Sequence, residues 1–171
     1  MMKKYNSDNH NRQSFRMEGY DYSKPGLYFI TISSQKHVCY FGEIENNKMV
    51  LNDTGKMVEH WYYEIENKFK DVKCWQMVVM PNHFHCILQN TGMIGKDGSS
   101  SLSEVMKWFK TMTTNEYIRG VKEKGWQSFD EKLWQRNYWD HIIRNQKTYD
   151  NICDYIHLNP TNWKGDRLYK L

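Results

Sequence analysis

Residues 74–89, CWQMVVM-PN-HFHCILQ, constrain the fold more than any other stretch of the chain. Two runs rich in apolar residues flank Pro81-Asn82, a pair that interrupts regular structure. Each run has the length of a β-strand. They form either a tight antiparallel pair or one strand with a kink. On a strand, residues two apart share a face, so His83 and His85 project together and Phe84 points the other way. The face that carries Phe84 needs a cover, and amphipathic helices elsewhere in the chain can supply it.

Leu27–Ser34, LYFITISS, reads as another strand because β-branched and aromatic residues dominate it. Residues 37–51 read as a short hairpin turning at Asn46-Asn47. Asn52 or Asp53 caps a helix over Thr54–Phe69, with Met57, Val58, Trp61, Tyr62, Ile65 and Phe69 at the helical period. Residues 90–100 form a Gly/Ser loop, flexible by composition. Ser101 or Ser103 caps a second helix with Leu102, Val105, Phe109 and Met112 on one face. Gly120–Lys132 reads as irregular, Leu133–Ile143 as strand, and a third helix ends near Leu158, because proline disfavours a helical residue before it. With the hairpin set aside, the order is strand, helix, strand pair, helix, strand, helix. This predicts an α+β fold, an antiparallel sheet with helices on one face, of the split β-α-β group. At 171 residues the chain fits one domain over residues 26–163, with a polar N-terminal tail (1–25) and a short C-terminal tail (164–171).

Composition excludes several classes. At 39% hydrophobic and 15% aromatic residues the chain is too rich for a disordered protein. No apolar run approaches a membrane span, and no apolar stretch follows the N-terminal lysines as in a secretory signal, so the expectation is a cytoplasmic protein with no membrane partner. The four cysteines form no C-x-x-C pair, and no H-E-x-x-H occurs. The net charge is +4, and Val105–Lys147 alone carries that excess, nine basic residues against five acidic. Basic residues alternate there with tryptophan and tyrosine. That mixture suits single-stranded nucleic acid, where cations track phosphates and rings stack on bases. It equally suits a solvated helix face beside a Trp-rich core.

Two imidazoles at His83 and His85 can share one metal ion, or they can be two histidines on a sheet face. On the third helix, Tyr155 and Asn159 lie four apart and share a stripe. If that stripe covers the histidines, Asn159 can complete a metal site and Tyr155 can reach a bound phosphate. Otherwise Tyr155 is a packed tyrosine and Asn159 ends the helix.

The blocks VVMPNHFHCIL (78–88), LWQRNYWDHIIRN (133–145) and DYIHLNP (154–160) resemble the HUH-type single-tyrosine transposases of bacterial insertion sequences, above all the REP-associated tyrosine transposase group. The resemblance spans roughly Gly26–Trp163. It implies a ferredoxin-like (RRM-like) HUH endonuclease fold and metal-dependent nicking and strand transfer of single-stranded DNA. His83 and His85 match the metal pair and Tyr155 the nucleophile that forms a 5′-phosphotyrosyl link. Asn159 matches a polar metal ligand. The implied cofactor is Mg or Mn, and the implied partner a single-stranded DNA hairpin at an element end. Lys107, Lys110, Arg136 and Arg144 are the candidate phosphate-holding cations. Two assemblies stay open, a homodimer that exchanges the tyrosine helix about residues 145–147 and a monomer that attacks in cis. A non-catalytic or domesticated hairpin-binding protein is the competing reading.

Overall fold

A computed structural model describes residues 20–92 and 99–169. Its order is β1 (Gly26–Ser33), the hairpin β2 (Gly42–Glu45) and β3 (Lys48–Leu51), α1 (Asp53–Lys68), β4 (Val72–Val79), β5 (His83–Asn90), α2 (Leu102–Lys124), β6 (Trp139–Ile143) and α3 (Gln146–Leu158). Four strands form an antiparallel sheet in the order β4-β5-β1-β6. Without the hairpin and α3 the chain runs β-α-β-β-α-β, and each helix joins two parallel strands separated by a third. That is the split β-α-β arrangement. The α+β class read from the sequence is the observed one. The Gly/Ser loop expected at 90–100 has its centre, residues 93–98, outside the described residues, as does most of the N-terminal tail.

Pro81-Asn82 separates an antiparallel pair rather than kinking one strand: Val79 faces Phe84 and Val78 faces His85. Phe84, Cys86 and Leu88 of β5 and Tyr28, Ile30 and Ile32 of β1 point to one face, where α1 and α2 bury them with Tyr62, Phe109 and Tyr117. His83, His85 and Ile87 point to the other face. There α3 docks through Ile156, Ile152 and Cys153 onto Phe29, Ile87 and Ile143. The helix-covered face thus belongs to α1 and α2, while α3 crosses the opposite one.

Local signals explain the element ends. Asn46 and Asn47 both take positive φ, 49° and 61°, which a two-residue hairpin turn requires. Asn52 caps α1 and Asn145 caps α3 through their side-chain oxygens, and Ser101 with Glu104 forms a capping box on α2. Two expectations differ from the structure. Gly120 does not end α2, which continues to Lys124 and stops at Gly125 in the left-handed region. A Cβ on Gly120 would meet the Trp126 ring at 2.1 Å, so the glycine makes room for that ring to fold back onto the helix. Residues 133–138 are not strand. Leu133 and Trp134 turn into the main core, and Trp134 Nε1 donates to Thr113 Oγ1 at 2.9 Å.

Candidate active site

The outward face of the two central strands carries three rows of side chains in register. Ser33 pairs with His83, Thr31 with His85 and Phe29 with Ile87. His83 and His85 are buried, with ring centroids 4.6 Å apart. Asn82 fixes the tautomer of His83. Asn82 Nδ2 donates to the carbonyls of His37 (3.0 Å) and Leu168 (2.8 Å), which sets the orientation of its amide. Asn82 Oδ1 therefore accepts from His83 Nδ1–H at 2.9 Å, leaving His83 Nε2 with a bare lone pair. Thr31 Oγ1 lies 2.8 Å from His85 Nδ1, and with the proton on that nitrogen His85 Nε2 is the acceptor.

Tyr155 comes to this face from α3. Its hydroxyl stands 3.3 Å from His85 Nε2, and its ring packs edge-on against Phe29. Asn159 lies one turn later. Its φ of −56° and ψ of −45° are helical despite Pro160, so the side chain stays on the Tyr155 stripe and is buried over the histidines. His157 points out to solvent. The chain then turns through Trp163–Gly165 and brings in Asp166, a residue that sequence reading left in the C-terminal tail. Asp166 Oδ1 accepts from the Leu168 N–H at 2.6 Å, and Asn159 Nδ2 reaches Asp166 Oδ2 at 3.5 Å. One ligand atom from each of His83, His85 and Asp166 lies within 4.8 Å of the others.

These residues fit a divalent cation. Among the described residues, His83 Nε2 and Asn159 Oδ1 are buried acceptors with no hydrogen-bond partner, an arrangement that costs stability until something fills it. Two imidazoles, a carboxylate and an amide oxygen make a mixed nitrogen and oxygen donor set. Burial holds His83 down to about 4, with Asp166 and the neighbouring Asn159 side chain opposing and His37 and Arg167 acting in the same direction as burial. Burial, then His83 and Arg167, push His85 well below the ordinary histidine range. Both rings are neutral at neutral pH and ready to ligate. The Tyr155 phenol is raised by burial and by Asp166, with Asn159 and Arg167 opposing, so it stays protonated.

Two clefts meet at Tyr155. One, about 690 Å3, lies between the α3 C-terminus, the Thr161–Asp166 turn and the β2–β3 hairpin. The other, about 620 Å3, runs toward β6 past Trp139 and His141. The candidate cations lie elsewhere. Lys107, Lys110 and Arg136 line a third cleft, about 600 Å3, between α2 and residues 129–138 on the far side of the sheet. Lys110 Nζ donates to the carbonyls of Gln135 (2.6 Å) and Arg136 (3.1 Å), so it ties that loop to α2. Burial pushes its ammonium down to about 8. Lys107, Arg136 and Arg144 are exposed.

A family model described as IS200-like transposase matches residues 34–159. An uncharacterized protein of Haemophilus influenzae is 36% identical over 185 aligned positions, covering 99% of this chain and 99% of that one. The REP-associated tyrosine transposase of Escherichia coli (strain K12) is 27% identical over 140 positions, covering 81% of this chain and 68% of the relative. A solved structure of a REP-associated tyrosine transposase bound to a REP hairpin superposes with a TM-score of 0.55 at 23% identity, covering 85% of this chain and 74% of that one.

Proposed function

The chain belongs to the IS200-like transposase family, and on that premise we propose that it nicks and rejoins single-stranded DNA with Tyr155 as the nucleophile. The observation that carries this reading is the meeting of one phenol with one ligand set. Tyr155 stands 3.3 Å from His85 Nε2, over the group formed by His83, His85 and Asp166. A tyrosine hydroxyl with a raised pKa is a weak nucleophile. A divalent ion, Mg or Mn, held by His83, His85, Asp166 and Asn159 would draw charge from the phosphate oxygens and stabilise the charge that develops on them.

The chain's own residues do the rest. The Phe29 ring and the docking of Ile156 hold Tyr155 in place. The Tyr155 oxygen attacks phosphorus and the bond to the 3′-oxygen breaks, giving a 5′-phosphotyrosyl link and a 3′-OH. The phenol loses one proton and the 3′-oxygen gains one. One phosphodiester replaces another, so a second 3′-OH can attack the phosphotyrosine, restore the phenol and join new ends without ATP. Within one chain, Tyr155 of α3 meets His85 of the same sheet, so attack in cis needs no second copy. A relative solved with a REP hairpin supports hairpin DNA as the partner. Exposed Lys107 and Arg136 lie on the far side of the sheet from Tyr155, so any phosphates they hold belong to a part of the DNA away from the cleavage point. Such chemistry on chromosomal strands would run in the cytoplasm.

The test is a covalent-adduct assay. Labelled single-stranded DNA carrying the repeat that flanks the protein's own gene is incubated with protein and Mn or Mg and run on a denaturing gel. A shifted band that is lost with EDTA, with Tyr155→Phe and with His83→Ala is the expected result. DNA bound on a native gel with no adduct on the denaturing one, across several hairpins, would establish a non-catalytic hairpin-binding protein instead.

A further inference from the structure

The cleft beside Tyr155 on the β6 side shares His85, Asp166 and Tyr155 with the candidate metal site and extends past them over a wall of rings. Trp139 and His141 are two apart on β6 and so share the sheet face that carries His85 and Phe29. Their rings are parallel within 8°, with centroids 6.0 Å apart. Phe29 meets Trp139 edge-on at 5.8 Å and stacks on His85 at 5.3 Å. A continuous aromatic surface therefore runs from the metal-ligating histidine to the outer strand of the sheet. Trp139 remains 39% exposed although it is the kind of side chain that gains most from burial. The lining also includes Thr148 and Asn151 of α3 and Arg167. A hydroxyl, an amide with both donor and acceptor, and a guanidinium suit a base edge and a phosphate.

The geometry points to this cleft as a base-binding subsite: it takes one unpaired nucleotide beside the scissile phosphate, its base stacked on Trp139 and its edge read from α3. The assignment rests on Tyr155 being the site of DNA cleavage. Its about 620 Å3 falls in the ~300–1,000 Å3 range of pockets that accept small molecules. Because the cleft and the one on the hairpin side meet at Tyr155, a single strand crossing the phenol places its two flanks in different surroundings. The Trp139 side offers an exposed ring, whereas on the hairpin side Trp163 is buried and Tyr169 packs edge-on against it. Stacking tolerates any base, so choice among bases falls to Thr148 and Asn151.

The experiment separates stacking from cleavage by working in the Tyr155→Phe protein, which binds without cutting. Fluorescence anisotropy is measured with the single strand carrying the protein's own flanking repeat, and with a series lacking one base at each position in turn. Removal of one particular base is expected to weaken binding about tenfold, which corresponds to about 1.4 kcal/mol. Adding Trp139→Ala should produce the same loss on the intact strand and abolish that base's effect, while Trp139→Phe restores it. Equal melting temperatures for the two variants exclude a folding defect as the cause. An unchanged dissociation constant in Trp139→Ala, or a base effect that survives it, overturns the subsite. In the protein with Tyr155 intact, adduct formation that ignores Trp139→Ala and every missing base overturns the subsite and leaves the nickase standing. Base-dependent binding through Trp139 with no adduct from any strand keeps the cleft as a base-stacking site but removes the nickase and, with it, the cleft's place beside a scissile phosphate.

Discussion

The site depends on a proton that sits on one nitrogen. Asn82 holds it there, because its two N–H donations leave only Oδ1 to face His83. Asn82→Ala releases the ring and should weaken Mn affinity about 10–100-fold, the usual effect of losing a partner that orients a ligand. It also leaves the His37 and Leu168 carbonyls without their donor. Asn82→Asp separates the two effects: a carboxylate still accepts from His83 Nδ1 but donates nothing, so metal affinity should survive while the C-terminal segment loosens. Isothermal titration with Mn, beside hydrogen exchange at Leu168, distinguishes them. Asp166→Asn should reduce Mn affinity at least about tenfold, or ~1.4 kcal/mol, by removing the negative charge from the ligand group. Affinity equal to wild type would exclude Asp166 as a ligand. The histidine pair and the Tyr155–Asn159 stripe were legible in the sequence because strand and helix periods dictate which side chains share a face. Asp166 was not, since it follows an irregular turn with no period to place it. Asn82 stood in plain view beside His83, but its role depends on two carbonyls brought from far along the chain.

At the scale of elements, Tyr155, the proposed nucleophile, is only as well placed as α3. That helix has 13 residues, about the length at which an isolated helix is marginal in water. Its only buried side chain before Asn159 is Ile156, packed with Phe29, Ile87 and Ile143. Ile156→Ala should cost roughly 2–5 kcal/mol of local packing. Hydrogen exchange should quicken over residues 146–158 and leave β1 and β5 protected. Adduct yield should fall with it, and uniform loosening of the whole sheet would mean that α3 does not dock as a separate layer. The strands and helices of the sheet were readable because turn residues and caps bound them. The structure departs from the sequence pattern at 120–124 and 133–138, where tertiary packing overrides it. Gly120 looks like a stop until Trp126 is seen lying on it, and Leu133-Trp134 looks like strand until both are seen entering the core.

The whole molecule carries two neutral imidazoles in its interior, and that couples stability to pH and to metal. Unfolding returns both rings to an ordinary histidine pKa of about 6.5. Burial holds native His83 at about 4 and His85 well below its usual range. Between about 4 and 6.5 the unfolded chain therefore binds more protons than the native protein, and stability rises with pH across that window. The metal-free protein should be fully stabilised above the window and melt at progressively lower temperature as pH falls from 7 toward 5. His83→Gln should flatten that dependence, because one of the two rings no longer titrates on unfolding. Mn held by the proposed ligand set should add about 2.7 kcal/mol at 100 times its dissociation constant. That gain should shrink only toward pH 4, where protons begin to compete for Nε2 of His83. Calorimetric melts in EDTA at pH 7 and pH 5 test the first effect, and the Mn-induced shift at pH 7 and pH 4 tests the second. A melting temperature equal at the two pH values in EDTA would show that the histidines are not held neutral by burial. A metal shift that persists in the His83→Gln, His85→Gln double variant would place the bound ion away from Tyr155, and the phenol would then have no cation to work with.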